Sequence, residues 1–365
     1  MTSDLISKII AQGDRLATHS WEYGTFSEAL LEWYDPSYSV FGNETFPAGR
    51  IPVLQVDQVR SLEYAKPHIW TNMTTLIDGD GAAGDPASLG VSAILIGQTQ
   101  PAYEAAADRQ MTHLLTAVPR WPNGAISHRE AVAELWADFL YMGPPALAYW
   151  AVQRDDAGLL DEVLRQCGLY RDVLGVPEGS GNASGLWHHI IGPETQDLGV
   201  WSTGNAWAAA GMSRVLATAK KAPFAETVKG LGGLKGIIGG ILDAAIALDR
   251  AEPEEPLLRN YLNDTSWFGE LSGTTLLTAT AYRMALLEPE EFGGEEAGYV
   301  AWADEKRAEI IERIDDEGLL SPVINPLEWG DRQPGTESPE AQSFAVLMYA
   351  AHRDYQESCS SHSEA

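Results

Sequence analysis

The sequence is short of cysteine, of basic residues and of long apolar runs. Its 365 residues include two cysteines, and 24 Lys and Arg residues stand against 52 Asp and Glu residues. The formal net charge of −28 makes nucleic acid and anionic membranes unsuitable partners, because both require a basic protein face. No apolar run reaches the roughly 18 residues of a membrane-spanning helix, so we expect no membrane span.

Neither cysteine has the spacing of a metal ligand. Cys167 lies within a helical pattern and Cys359 near the polar C-terminus, so we predict two free thiols and no metal site at the cysteines. The sequence lacks a low-complexity linker, and its length suits either one large core or two ordinary domains. We predict one domain over residues 1–356, followed by a polar tail over residues 357–365.

The two indicators of cellular compartment disagree. The N-terminal stretch MTSDLISKIIAQGDRLATHSW lacks the apolar centre of a signal peptide. However, four of the eight Asn residues lie in N-x-S/T triplets, of which about one is expected by chance, and such acceptor sites are typical of secreted proteins. We expect a cytoplasmic protein if the sequence is complete, and a secreted one if a signal peptide has been removed. The triplets begin at Asn43, Asn72, Asn182 and Asn263.

Apolar residues recur at helical spacing along the whole chain, and strand-like alternation is weak throughout. The pattern predicts twelve helices joined by loops of unequal length, which indicates an all-α fold of paired helical hairpins. Six such hairpins closed into a ring make an (α/α)6 barrel. An open solenoid has the same helix count, but the chain shows no repeat of residue identity. The predicted helices span residues 3–18, 25–34, 57–72, 86–98, 101–117, 138–153, 156–173, 204–220, 224–248, 270–287, 299–314 and 338–354.

The stretch HREAVAELWADFLYMGPP, residues 128–145, is the strongest candidate for a catalytic site. Its acid Asp138 has Trp136, Tyr141 and Met142 among its near neighbours. A carboxyl in such surroundings loses hydration, which favours its protonated form and makes it a proton donor near neutral pH. The alternative is a structural role, in which Asp138 caps the helix that follows the Pro-Pro pair.

A second patch, residues 181–214, is rich in tryptophan, histidine and glycine. Aromatic faces with polar side chains between them suit a sugar, because the rings cover its C–H face and the polar tips bind its hydroxyls. A tryptophan-rich core is the alternative. A zinc site is a weaker one, because adjacent histidines do not readily share one metal. The patch contains Trp187, His188, His189, Trp201, Asn205 and Trp207.

Further candidates lie at the predicted ends of helices. Trp21 and Glu22 occupy the turn of the first hairpin, where they either contact a ligand or hold the hairpin together. Asp85 precedes a proline and fits a helix N-cap, which does not prevent it from facing a ligand. His128 and Arg129 are candidates for binding an anion. Residues of the same kind before the last helices are Trp267, Glu270, Trp329, Glu337 and Glu340, the last of which is interpreted first as a helix-start acid.

Together these patches resemble the unsaturated rhamnogalacturonyl hydrolases, glycoside hydrolase family 105, and the sequence looks like a fungal branch of that family. The likeness covers about residues 15–355. Its most specific parts are ELWADFLYMGPP (134–145) and GLWHHIIGP followed by WSTGNAW (185–207). Supporting parts are SWEYG (20–24), DPASLG (85–90) and AISHR (125–129).

The resemblance implies an (α/α)6 barrel, no cofactor, and a small oligosaccharide substrate that ends in a 4,5-unsaturated uronic acid. In this family an acid protonates the vinyl ether at C4, water adds at C5, and the resulting hemiketal opens and releases the remaining sugar. By matching position, Asp138 resembles the acid/base and Asp85 its carboxylate partner. The substrate-binding residues expected from these stretches are Trp21, Glu22, His128, Arg129, Trp136, Tyr141, Met142, His189, Trp201, Asn205 and Trp207.

The sequence departs from the family at Thr203, where bacterial members have an arginine. Arg129 is a candidate to bind the uronate in its place. Two other functions stay open: the same barrel acting on a non-sugar small molecule, and a carbohydrate-binding barrel without catalysis. The presence of both Asp85 and Asp138 argues against the barrel without catalysis.

Overall fold

A computed structural model describes residues 3–363, in which most of the regular secondary structure is helical. The expected all-α class is confirmed, and the two short strands form a single antiparallel pair. The helices are α1 Ser3–Leu16, α2 Ser20–Tyr34, α3 Arg60–Ala65, α4 Gly90–Gly97, α5 Pro101–Thr116, α6 Phe139–Met142, α7 Pro144–Gln153, α8 Ala157–Leu174, α9 Ser202–Lys221, α10 Leu231–Ala251, α11 Leu271–Leu287, α12 Pro289–Phe292, α13 Tyr299–Ile311 and α14 Pro339–Ser363, and the strands are β1 Leu135–Trp136 and β2 Ile190–Ile191.

Six helical hairpins close into a ring. The inner helices are α2, α4, the pair α6 and α7, α9, α11 and α14; each packs against the next, and α14 returns to α2. The outer helices α1, α3, α5, α8, α10 and α13 each precede an inner helix in the chain. Closure of the ring confirms the (α/α)6 barrel, and the open solenoid is wrong. Because every hairpin begins with its outer helix, all inner helices run in the same direction.

The inner helices are buried on nearly every side, which requires small residues where two backbones approach closely. At Gly211 in α9, a Cβ atom would lie 2.1 Å from the carbonyl oxygen of Leu140 in α6. Only glycine leaves room for this contact. Gly211 therefore sets how closely α9 can approach the short helix that follows Asp138.

Prolines shorten one of the predicted helices and divide another, and the helix predicted over 224–248 begins only at Leu231. The helix expected over 57–72 is confined to α3, because Pro67 has no backbone N–H to continue it and a short 3₁₀ turn follows. The helix expected over 138–153 is broken at Gly143, where Pro144 and Pro145 start α7. At the C-terminus, α14 continues past residue 356 to Ser363, into the segment expected to be a polar tail.

One helix among the described residues, α10, is long and apolar enough to cross a membrane by length and composition. Lys235 and Asp243 interrupt its apolar run, so a search for uninterrupted runs did not identify it. Half of its most apolar window is buried in the protein, where α10 packs against α8 and α9. This burial is typical of a core helix in a soluble fold.

A buried ionic network joins four inner helices away from their N-terminal ends. Arg214 of α9 contacts Glu32 of α2 and donates to Glu28 at 3.0 Å. Arg283 of α11 donates to Glu32 at 2.6 Å and to Asp354 of α14 at 2.6 Å. The side chains of Arg214, Arg283 and Glu32 are at most 5% exposed. Glu32 thus receives two guanidinium groups, and the charges of the three central residues are paired away from water.

We expect Glu32→Gln to lower the free energy of unfolding by roughly 3 kcal/mol or more, because it leaves Arg214 and Arg283 with insufficient negative charge in the interior. Urea denaturation measures the loss. The matched control is Glu337→Gln, whose partner Arg15 and whose own side chain are about half exposed. This control should lose less than about 1 kcal/mol. Equal losses in the two variants would contradict a stabilising role for the buried network.

Candidate active site

The N-terminal ends of the inner helices surround a cavity of about 130 Å³. Two of these ends contact each other through a hydrogen bond from Trp21 Nε1 of α2 to Glu340 Oε1 of α14. Asp138 precedes α6, and Asp85 starts the short 3₁₀ segment that leads into α4. The lining residues are Trp21, Gly79, Asp80, Asp85, His128, Arg129, Trp136, Asp138, Met142, Pro326, Leu327, Trp329 and Glu340.

The two short strands connect the two sequence patches. Trp136 pairs with Ile190 across β1 and β2, and the backbone N–H of Ala137 donates to the carbonyl of His189 at 2.9 Å. This pairing places Asp138 and His189 side by side. A second backbone hydrogen bond, from Ala83 to His128, brings the segment before Asp85 against the same wall.

Two of the three cavity aspartates, Asp85 and Asp138, each face one histidine. His128 Nε2 lies 3.7 Å from Asp85 Oδ1, and His189 Nε2 lies 3.4 Å from Asp138 Oδ2. The second contact lacks hydrogen-bond geometry, so Asp138 Oδ2 and His189 Nε2 are buried with no hydrogen-bond partner among residues 3–363. Buried polar atoms normally have a hydrogen-bond partner, so these two atoms indicate a place where a ligand would supply the missing hydrogen bonds.

The cavity holds a proton near neutral pH. Burial raises the pKa of Asp85 to about 8, the charge of Asp138 contributes in the same direction, and Arg129 opposes it. The raised pKa of Asp85 could not be predicted from the sequence, because it depends on burial of this side chain beside another acid. Burial also lowers the pKa of His128 to about 4, so its ring is neutral at pH 7.

His189 is held between two carboxylates. Its Nδ1 lies 3.0 Å from Asp197 Oδ2, and the hydroxyl of Tyr261 donates to the same oxygen. Burial lowers the pKa of His189, but the charge of Asp138 and the charge and hydrogen bond of Asp197 outweigh it and raise the pKa above its usual value. The imidazolium form is therefore favoured. Sequence reasoning missed Asp197 and Tyr261, because no local pattern connects either of them to His189.

Aromatic rings form the cavity walls. Trp136 stacks on His128 with ring centres 4.9 Å apart, and its edge meets Trp329 at 5.7 Å. Trp329 also approaches the His189 ring, at 5.0 Å. The guanidinium of Arg129 lies 5.8 Å from the centre of the Trp136 ring, and Arg129 is the one Lys or Arg among the lining residues. The cavity thus combines apolar walls, several acids and one permanent cation.

Besides His189, five residues expected to bind substrate do not line the cavity. The Trp201 ring packs against His189 and its indole donates to Asn260, while Trp207 is fully buried beside Tyr141 and Phe344. The side chain of Asn205 bonds to the backbone of Trp187 and Trp201. The contacts of these side chains are therefore with other protein groups and not with the cavity. The five residues are Glu22, Tyr141, Trp201, Asn205 and Trp207, and Glu22 caps the start of α2.

Residues 8–228, more than half of the chain, match the family model of Glycosyl Hydrolase Family 88. The chain belongs to this family. It is therefore a glycoside hydrolase, as expected from the sequence. No curated protein matches the chain.

Solved structures show the same fold at low sequence identity. A possible member of the GH105 family from Salmonella enterica serovar Paratyphi A has a TM-score of 0.73 and 17% identity, covering 96% of this chain and 93% of that chain. A family 105 glycoside hydrolase from C. acetobutylicum has a TM-score of 0.72 and 14% identity, covering 96% and 99%. An unsaturated glucuronyl hydrolase specific for heparin has a TM-score of 0.62 and 11% identity, covering 97% and 96%. The expected resemblance is confirmed, and the fungal placement stays a prediction.

We expect Asp197→Asn to lower the pKa of His189, because the amide removes one of the two negative charges that favour the imidazolium. An NMR titration of the His189 ring signals measures this pKa. Tyr261→Phe is the matched control, since it removes a hydrogen bond to Asp197 without changing the charge, and its shift should be smaller. If the pKa stays the same in Asp197→Asn, Asp197 does not control the protonation of His189.

Proposed function

We propose that this glycoside hydrolase removes a 4,5-unsaturated uronic acid from small oligosaccharides by hydration of the C4=C5 vinyl ether. The observation behind the proposal is the pair of acids, Asp85 and Asp138, in one small cavity that retains a proton near neutral pH. An enol ether is attacked only after protonation, and this reaction needs a donor within hydrogen-bond reach of C4. The similar structure of an unsaturated glucuronyl hydrolase supports the same reaction class.

Asp138 is the proposed acid/base. Its Oδ2 is buried without a hydrogen-bond partner, and the imidazolium of His189 lies 3.4 Å away as a proton source. In the proposed reaction, Asp138 delivers this proton to C4 and positive charge develops at C5 and the ring oxygen. Water then forms a bond to C5, and the proton that it loses returns through Asp138. The hemiketal at C5 opens and releases the remaining sugar.

Asp85 acts in this proposal as a neutral partner. A protonated Asp85 donates a hydrogen bond to the sugar or to the attacking water and adds no negative charge to the cavity. A neutral Asp85 is important because the substrate itself carries a carboxylate. The uronate would otherwise meet several ionised acids in a cavity with little water to screen them.

Arg129 is the proposed partner of the uronate carboxylate. It is the permanent cation among the lining residues, and its guanidinium faces the wall formed by Trp136. Thr203, which replaces the family arginine, is fully buried and donates to Glu270 Oε1 at 3.3 Å. Because Thr203 faces Glu270, it supplies no charge to the ligand, and the anion-binding role falls to Arg129.

Asp138→Asn should abolish turnover of an unsaturated uronyl disaccharide, because the amide has no acidic proton for C4. The conjugated double bond absorbs in the near ultraviolet, so loss of that absorbance measures turnover directly. General acid catalysis contributes about 10²–10⁴-fold, so a drop in kcat of at least 10²-fold is expected. The matched control is Asp85→Asn, which keeps a neutral hydrogen-bonding group in place. Its kcat should fall by roughly tenfold or less.

The two variants also separate the roles of the two acids. Activity of Asp138→Asn within tenfold of the wild type would exclude Asp138 as the proton donor. A larger loss in Asp85→Asn than in Asp138→Asn would assign the donor role to Asp85. A wild-type protein that leaves the absorbance of every unsaturated uronide unchanged would exclude the proposed reaction itself.

A further inference from the structure

Glu340 also lines the cavity, and this acid has no part in the reaction proposed above. It is the second residue of α14, and its side chain is almost completely buried. Trp21 Nε1 donates to its Oε1 at 2.9 Å, which fixes the carboxyl group in place. The other oxygen, Oε2, is buried and has no hydrogen-bond partner among the described residues.

Helix capping does not account for Glu340. The start of α14 is served by Ser338, whose hydroxyl accepts a hydrogen bond from the backbone N–H of Ala341 and whose carbonyl accepts one from Gln342. Sequence reasoning interpreted Glu340 as a helix-start acid, but the observed capping contacts at this helix end involve Ser338. The carboxyl group of Glu340 is therefore available for another purpose.

Glu270, at the start of the neighbouring inner helix α11, is a buried acid whose two oxygens both have hydrogen-bond partners. Its two oxygens accept hydrogen bonds from the backbone of Ser272 and Gly273 and from the hydroxyl of Ser202. Glu270 does not line the cavity, whereas Glu340 does. Glu270 is the N-cap of its helix and Glu340 the second residue of the next inner helix, and the acid with an unsatisfied oxygen is the one beside the cavity.

A carboxyl oxygen such as Glu340 Oε2 can form its missing hydrogen bond with only some kinds of ligand group. A hydroxyl can donate and accept, so it satisfies a carboxyl oxygen in either protonation state. A carboxylate would be repelled whenever Glu340 is ionised, and the cavity provides Arg129 for that group. In a 4,5-unsaturated uronyl residue that is linked through C1, the free ring hydroxyls are those at C2 and C3.

We propose that Glu340 and Trp21 form a hydroxyl-binding pair, in which Glu340 Oε2 hydrogen-bonds the C2 or C3 hydroxyl of the unsaturated uronyl residue. The inference rests on the proposed function, since that reaction fixes which sugar enters the cavity. Glu340 is a substrate-binding residue in this arrangement, and the proton transfer to C4 stays with Asp138.

Steady-state kinetics of Glu340→Ala and Glu340→Gln, followed by loss of near-ultraviolet absorbance, test the pair. Glu340→Ala should raise KM roughly tenfold while kcat stays within about threefold, because one buried hydrogen bond to the ligand is lost. Glu340→Gln should keep KM within about twofold. Its amide oxygen still accepts from Trp21, and its NH₂ still donates to the hydroxyl. Thermal unfolding of both variants checks that the α14 terminus remains folded.

Deoxygenated substrates make the test specific to the hydroxyl. On the 2-deoxy or the 3-deoxy analogue of the unsaturated uronyl residue, the KM difference between Glu340→Ala and the wild type should disappear. An unchanged KM in Glu340→Ala, an equal loss in Glu340→Gln, or the same penalty on both analogues would each overturn the inference. Absence of any wild-type turnover would instead overturn the proposed function, and this inference with it.

Discussion

The common direction of the inner helices is the constraint on which the rest of the site depends. Since every hairpin leads with its outer helix, all inner helices begin at the same end of the barrel. Asp85, Asp138 and Glu340, which are far apart in the chain, therefore meet around one cavity. Helix N-termini carry partial positive charge, which favours carboxylates and an anionic ligand at this end.

The buried ionic network gives that arrangement its rigidity. Arg214 and Arg283 converge on Glu32, and together these residues join inner helices on several sides of the ring. Such a network adds little stability when it replaces apolar packing, but it penalises any shift that separates its charges. Charge pairing therefore helps to hold α2, α9, α11 and α14 in position relative to one another. Glu340 lies on α14, and Asp138 precedes α6, which packs against α9.

The all-α fold could be predicted from the sequence, because helical periodicity is a local feature. The choice of Asp138 as a candidate was possible for the same reason, since its apolar neighbours are adjacent in the chain, and the structure places it at the cavity. The partners of His189 could not, since Asp197 and Tyr261 reach it only after the chain folds. Trp207 lies on α9, and the sequence does not show which side of this helix faces the cavity. In the structure its side chain is buried in the core. The raised pKa of Asp85 likewise depends on its burial beside a distant acid, a proximity that exists only in the closed ring.

The central claim is that a buried acid protonates C4 before water adds at C5. The most direct test is to find where in the product the delivered proton lies. Turnover of an unsaturated uronyl disaccharide in D₂O, with the product examined at once by NMR, locates that proton. Our account predicts one deuterium at C4, delivered to a single face of the ring, and loss of the C4=C5 double bond. Release of the remaining sugar with the double bond intact and no deuterium at C4 would contradict it, because the glycosidic bond would then have been cleaved directly.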